Sequence, residues 1–168
     1  MVKTEDLKRI NMLRDFPEHL LKIIAGEANL TIFGTGTQLA TFHKKIDSFY
    51  MLIMGQVAMK KALTPEIDII FDYIQSGSSF GSSAFIEGST SAYTIICQEP
   101  CEAITLSGER MIELFKENHE LAYYMMLGIA RRYKKNMDIR AKMIMKTLDE
   151  NPELRDDIHD IENLALVI

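Results

Sequence analysis

Hydrophobic positions along this chain change their period twice, and the changes divide it into three parts. In the first segment, Glu5 to Gly26, and just beyond it, the apolar residues Leu20, Leu21, Ile24 and Ala28 recur at helical spacing. Pro17 suits a first turn and Gly26 a stop, so the segment is expected to be helical. From Leu30 the pattern shifts to short runs rich in β-branched and aromatic residues: 30–33, 37–43, 49–54, 56–63, 67–74, 92–97 and 102–106. Gly34-Thr35-Gly36, residues 44–47, Gly55, Thr64-Pro65 and the Ser/Gly loop at 76–79 separate them. So many short strands with turn signals between them predict an antiparallel roll or barrel.

The third part is helical again. Ser107 is expected to cap a short helix running to about Glu117, and Asn118 a long one. In the long helix Met126, Ile129, Tyr133, Met137, Ala141, Ile144 and Leu148 advance by about 3.67 residues per step, an α-helical stripe. Asn151-Pro152 breaks it and opens a last amphipathic helix with Leu154, Ile158, Ile161 and Ala165 on one face. The expected fold is α+β and mainly β. An antiparallel β-roll or jelly-roll is flanked by an N-terminal helical segment and a long C-terminal dimerisation helix at about 119–148. A compact roll cannot cover so long an apolar stripe by itself; a second copy covers it, and a homodimer is expected.

Composition narrows the function. With 168 residues, 47% hydrophobic and 26% charged, the chain has room for one well-packed domain. The net charge of −5 is unevenly placed: residues 149–168 carry seven acids and one base, whereas residues 1–148 carry 17 acids and 18 bases. Residues 1–148 therefore read as one neutral domain and 149–168 as an acidic amphipathic tail. That tail ends in Leu164-Ala165-Leu166-Val167-Ile168, expected to dock on its own domain, or otherwise on a protein partner. Nucleic-acid binding rests on clustered Lys and Arg, which this balance lacks. The longest apolar run, 121–130, is half of the ~20 residues a bilayer span requires. The opening residues, Met1 to Asp6, lack the apolar core of a secretory signal, so none is expected. Cys97 and Cys101, four apart around Pro100, are expected to be reduced and inert in a cytoplasmic protein.

Catalytic signals are sparse. His19, His43, His119 and His159 show no metal-ligand spacing. Arg131, Arg132, Lys134 and Lys135 read as a solvated helix face. Gly77-Ser78-Ser79-Phe80-Gly81 matches the G-x-S-x-G nucleophile elbow in letters, but that elbow requires a strand running into a long helix within an α/β sheet. Short strands surround it here, so no enzyme is expected.

The stretch from Phe80 to Ile95 carries the stronger signal. Phe80, Gly81, Ala84, Gly88, Ala92 and Thr94 fall in register with the phosphate-binding cassette of cyclic nucleotide-binding domains, F-G-E-L-A-L, a Gly-containing loop, then R-A-A-T-V. Upstream, residues 49–57 resemble the family's F-Y-x-I-x-x-G-x-V hairpin, with Asp47 at an acidic position. Downstream, the helix with Ala130-Arg131-Arg132 resembles the dimerisation helix of Crp/Fnr-type bacterial regulators. The resemblance implies a non-enzymatic sensor. Its ligand, a cyclic nucleotide or another phosphate-containing small molecule, would meet the cassette residues Gly81, Ser82, Ser83, Ala84, Ser91 and Ala92, and Met126, Ile129 and Tyr133 would supply the helix side of the pocket or the dimer core. In such a cassette small residues let backbone N–H groups converge on a phosphate. Regulators of this family continue into a DNA-reading module; about twenty residues follow the long helix here, too few for one, so no direct nucleic-acid contact is expected.

Two departures qualify the ligand. Ser82 stands where the family has the Glu that accepts from the ribose hydroxyl, and Ser91 where it has the Arg that pairs with the phosphate. Losing two charge-assisted hydrogen bonds costs about 3–6 kcal/mol, roughly two to four decades of affinity. The family's glycines before the hairpin are replaced by His43 and Ile46, so that turn must be built differently, and Lys44 and Lys45 are not expected to supply a substitute cation. Either the ligand is weak or non-standard, or the pocket is vestigial in a dimerising protein-interaction scaffold.

Overall fold

The computed structural model describes residues 1–64 and 66–153. The last amphipathic helix and the docking of the chain's apolar end lie outside the described residues.

The N-terminal segment is not one helix. It forms α1 (Thr4–Lys8) and α2 (Glu18–Glu27), with turns between them. Between the two, Ile10, Leu13 and Phe16 each donate a backbone N–H to the carbonyl three residues earlier, at 3.0, 2.9 and 3.1 Å. That 3-10-like winding brings Leu7, Ile10, Leu13 and Phe16 onto one buried side at a period of three. Pro17 disfavours helical backbone at Phe16 and itself stands as the N-cap, with φ −54° and ψ 140°.

Eight strands follow: β1 (Asn29–Phe33), β2 (Gln38–Ala40), β3 (Ser48–Met54), β4 (Gln56–Ala62), β5 (Asp68–Gln75), β6 (Ser79–Phe80), β7 (Thr94–Cys97) and β8 (Cys101–Ser107). They make two four-stranded sheets, ordered β1-β8-β3-β6 and β2-β7-β4-β5, with every pairing antiparallel. The expected β-roll is thus present, with three local differences. Residues 41–43 leave β2 because the Phe42 N–H goes to the Thr94 hydroxyl (3.2 Å) and His43 turns to φ +59°. Residues 92–93 likewise precede β7. A short strand, β6, emerges from what reads as loop, held by the pairing of Tyr50 with Phe80 and Met51 with Ser79.

Two cores share the strands. Phe49, Met51 and Ile53 of β3 and Ile104 and Leu106 of β8 face the helical side, against Leu20, Leu21 and Ile24 of α2. Leu52, Cys101 and Ala103 face the other sheet and pack with Val57, Ile74, Phe80, Ile95 and Cys97. This is the period-two alternation of strands buried on both faces.

Ser107 caps α3 (Gly108–Glu117) by accepting the Arg110 N–H at 3.4 Å, and the Asn118 side chain caps α4 (His119–Glu150) by accepting the Leu121 N–H at 2.9 Å. The chain divides into two compact units, Met1–Ile129 and a second that begins at Ala130. In the first, Leu121, Met125 and Ile129 of α4 join the helical-side core at a spacing of four. In the second, the side chains of Tyr133, Met137, Ile139, Met143, Ile144 and Met145 are exposed. Among the described residues no helix is long and apolar enough to cross a membrane.

Candidate ligand site

The cassette begins with Gly81, whose backbone is left-handed (φ +86°); a Cβ there would stand 2.7 Å from the Ser48 carbonyl oxygen, so the position accepts only glycine. Ser82–Phe85 then form one 3-10 turn. Phe85 fixes it to the helical-side core, its ring centroid 5.0 Å from Phe49 and 5.5 Å from Phe115. Ser82 is buried.

After Gly88 the loop returns to the roll, and Ser91 is held from three sides. Its N–H donates to the Lys44 carbonyl (2.8 Å), its carbonyl accepts the His43 N–H (2.9 Å), and its hydroxyl donates to the Tyr93 carbonyl (2.7 Å). The Ser91 side chain is therefore buried and spent on its own loop. In the turn it holds, His43 keeps a glycine-like φ of +59°.

Beside this loop lies a cavity of about 510 Å³, lined by Phe42, His43, Lys61, Phe71 and residues 90–93. That volume suits a nucleotide-sized molecule. The Phe42 and His43 ring centroids are 3.8 Å apart, those of Phe71 and Tyr93 5.2 Å, and Lys61 Nζ sits 4.5 Å from the Phe42 centroid. Thr90 and Ala92, on either side of Ser91, stand at the cavity wall.

The expected site residues thus separate. Ser91 and Ala92 line the cavity, whereas Gly81, Ser82, Ser83 and Ala84 do not and instead seat the turn against the roll. Of the helix residues, Met126 and Tyr133 are exposed and Ile129 is buried in the first unit's core. Phe42, Lys61, Phe71 and Tyr93 are cavity residues that the sequence reading did not single out. A signal for Lys61 exists: it follows Met59 by two on β4 and so shares its face. Lys45 is engaged elsewhere, 3.3 Å from Asp47 and 3.4 Å from Glu109.

A second, shallower groove of about 650 Å³ runs along α4 past Ala130, Arg131, Lys134, Asp138 and Ile139. Lys134 meets Asp138 there at 2.7 Å, as on a solvated helix face, whereas Arg132, read as part of that face, is half-buried with its guanidinium 5.7 Å from the Tyr133 ring centroid. The G-x-S-x-G stretch makes no nucleophile elbow. Ser79 is buried on the two-residue β6, its hydroxyl 3.1 Å from the Met12 sulfur, and the chain enters a 3-10 turn rather than a long helix.

Compared with known proteins, residues 30–118 match the model of the family described as Cyclic nucleotide-binding domain. The chain belongs to that family, and its fold is a regulatory β-roll of the kind found in Crp-type proteins. It is 28% identical over 90 residues to the cAMP-activated global transcriptional regulator CRP of Pasteurella multocida; the match covers 53% of this chain and 43% of that regulator. A cyclic nucleotide-binding domain from Methylobacillus flagellatus superposes with a TM-score of 0.73 at 14% identity, covering 86% of this chain and 81% of that one. The catabolite activator protein of Thermus thermophilus superposes at 0.65 and 13% identity, covering 79% and 62%.

Proposed function

We propose that this chain is a non-enzymatic sensor domain that binds a phosphate-containing small molecule, with an affinity for ordinary cyclic nucleotides well below that of a cassette bearing Glu and Arg. Ser91 carries the reading: its hydroxyl is committed to Tyr93 of its own loop and its amide to Lys44 of the β2–β3 loop, and no fixed charge stands at either family position. Thr90 and Ala92, which flank Ser91 at the cavity wall, would offer backbone N–H groups to an anion.

The exposed apolar side chains of α4, Tyr133, Met137 and Ile144 among them, support a homodimer through that helix. A ligand that favours one of two helix packings would shift their populations. The acidic residues 149–168 are the segment we assign to a protein partner, and a cytoplasmic setting agrees with two free, buried cysteines.

Titration of the chain with cAMP and cGMP by calorimetry tests the reading. Binding in the high-micromolar range or weaker is expected, and sub-micromolar affinity for either would overturn it. Ser91→Arg, the substitution that stands at the cavity, should tighten binding about tenfold. The same inward commitment of Ser91 favours a second reading, a vestigial pocket in a dimerising scaffold, for which Ser91→Arg gains nothing.

A further inference from the structure

Lys61 differs from its neighbours in what it touches. Lys60 is paired with Asp68, and Lys45 with Asp47 and Glu109. Lys61 has no carboxylate partner among the described residues, and its ammonium rests over the Phe42 ring at the cavity wall. A cation on an aromatic face keeps its charge available to an incoming anion on the other side.

The strands bring it there. Lys60 pairs with Thr94 across β4 and β7, so the next residue comes opposite Tyr93 at the cassette's end. On the other flank the β4–β5 register skips a residue: Met59 faces Asp72 and Lys60 faces Ile70, leaving Phe71 as the extra residue. Such bulges re-aim a side chain, and this one sets Phe71 against Tyr93. The Lys61 cation and the aromatic side chains of Phe71 and Tyr93 therefore border one cavity, with Thr90 and Ala92 at its wall.

Building on the sensor reading, we propose that Lys61 is the residue that reads the ligand's anion, in place of the missing cassette arginine, and that the ligand is a phosphorylated planar base stacked on Phe71 and Tyr93. The cation has moved from the cassette loop to β4. A flexible ammonium acts as a point charge, so linear and cyclic phosphates both fit it, unlike a bidentate guanidinium.

The test titrates the full chain and its Lys61→Met and Lys61→Arg variants with cAMP and with 5′-AMP by calorimetry, in low and high salt. Lys61 is exposed, and unchanged thermal melting of each variant certifies the fold. For whichever probe binds, Lys61→Met should weaken it about tenfold or more, Lys61→Arg should stay within about threefold, and added salt should weaken the wild type more than Lys61→Met. Preference between the probes distinguishes a cyclic from a linear phosphate. Lys61→Met binding as tightly as wild type overturns the role of Lys61 and leaves the sensor reading standing. No binding of either probe to the wild type at about 5 mM overturns the nucleotide-sensor reading and this proposal with it.

Discussion

The backbone of Gly108 lies directly against Ala84: a Cβ on Gly108 would stand 2.9 Å from the Ala84 Cβ and closer still to its carbonyl oxygen. Gly108 opens α3, and its N–H donates to the Asp47 carbonyl at 2.8 Å. Ala84 belongs to the cassette's 3-10 turn. The start of α3 thus clamps the turn with no slack, and a shift of the turn is transmitted to α3.

Gly108→Ala should therefore destabilise the fold by about 1–3 kcal/mol, the usual cost of overpacking a site lined by backbone. Urea denaturation followed by circular dichroism measures it. A loss below about 0.5 kcal/mol would mean that the turn moves aside readily.

His43 holds a left-handed backbone that glycine adopts freely and β-branched residues resist. His43→Gly is expected to stay within about 0.5 kcal/mol of wild type, relief of strain offsetting the lost ring contact with Phe42 and the greater freedom of the unfolded chain. His43→Val should cost about 1–3 kcal/mol. Equal stabilities for the two variants would show that the turn adapts to either residue.

These two positions also show what could be read from the sequence. Strands β3, β4, β5 and β8 follow from alternation or apolar runs, and Ser107 and Asn118 from capping chemistry, because both signals are local. The winding from Leu7 to Phe16 escaped because its period is three rather than 3.6, and Asn11 is drawn away by donating its N–H to the Gly77 carbonyl at 2.8 Å. The cassette was legible as letters, but its separation into Gly81–Ala84 on the roll and Ser91–Ala92 at the cavity was not. Lys61 and Phe71 reach that cavity through a cross-strand register and a bulge, both of which depend on residues far along the chain.

Arg110 of α3 reaches back to Glu27 at the end of α2, 2.9 Å away, and this hydrogen-bonded pairing holds the Glu27 carboxyl below its ordinary value of 4.5. A carboxyl whose folded pKa is depressed contributes stability above its unfolded pKa and loses it as pH falls through the folded one. Glu27→Gln should lower the melting temperature at pH 7, by a small amount given the pair's partial exposure. The difference from wild type should shrink steadily below about pH 4.5. A gap that persists undiminished at about pH 3 would mean that packing, and not the ion pair, joins the two helices.

Cys97 and Cys101 sit side by side in the core between the sheets. Burial, and then the neighbouring Cys101 thiol, push the Cys97 thiol up to about 12. Cys101 points its own Sγ at the carbonyls of Glu99 and Gln56, at 3.2 and 3.4 Å. Only the thiolate attacks a disulfide reagent, and at pH 8 a thiol of that pKa is ionised about once in ten thousand molecules. Cys101 is fully buried too, so an aromatic disulfide reagent added to the native protein at pH 8 should leave both cysteines unlabelled over minutes, and should label both at once in denaturant. Prompt labelling of the native protein would mean that the two sheets part often enough to admit the reagent. It would also remove the argument that this pair is a packing element rather than a redox one.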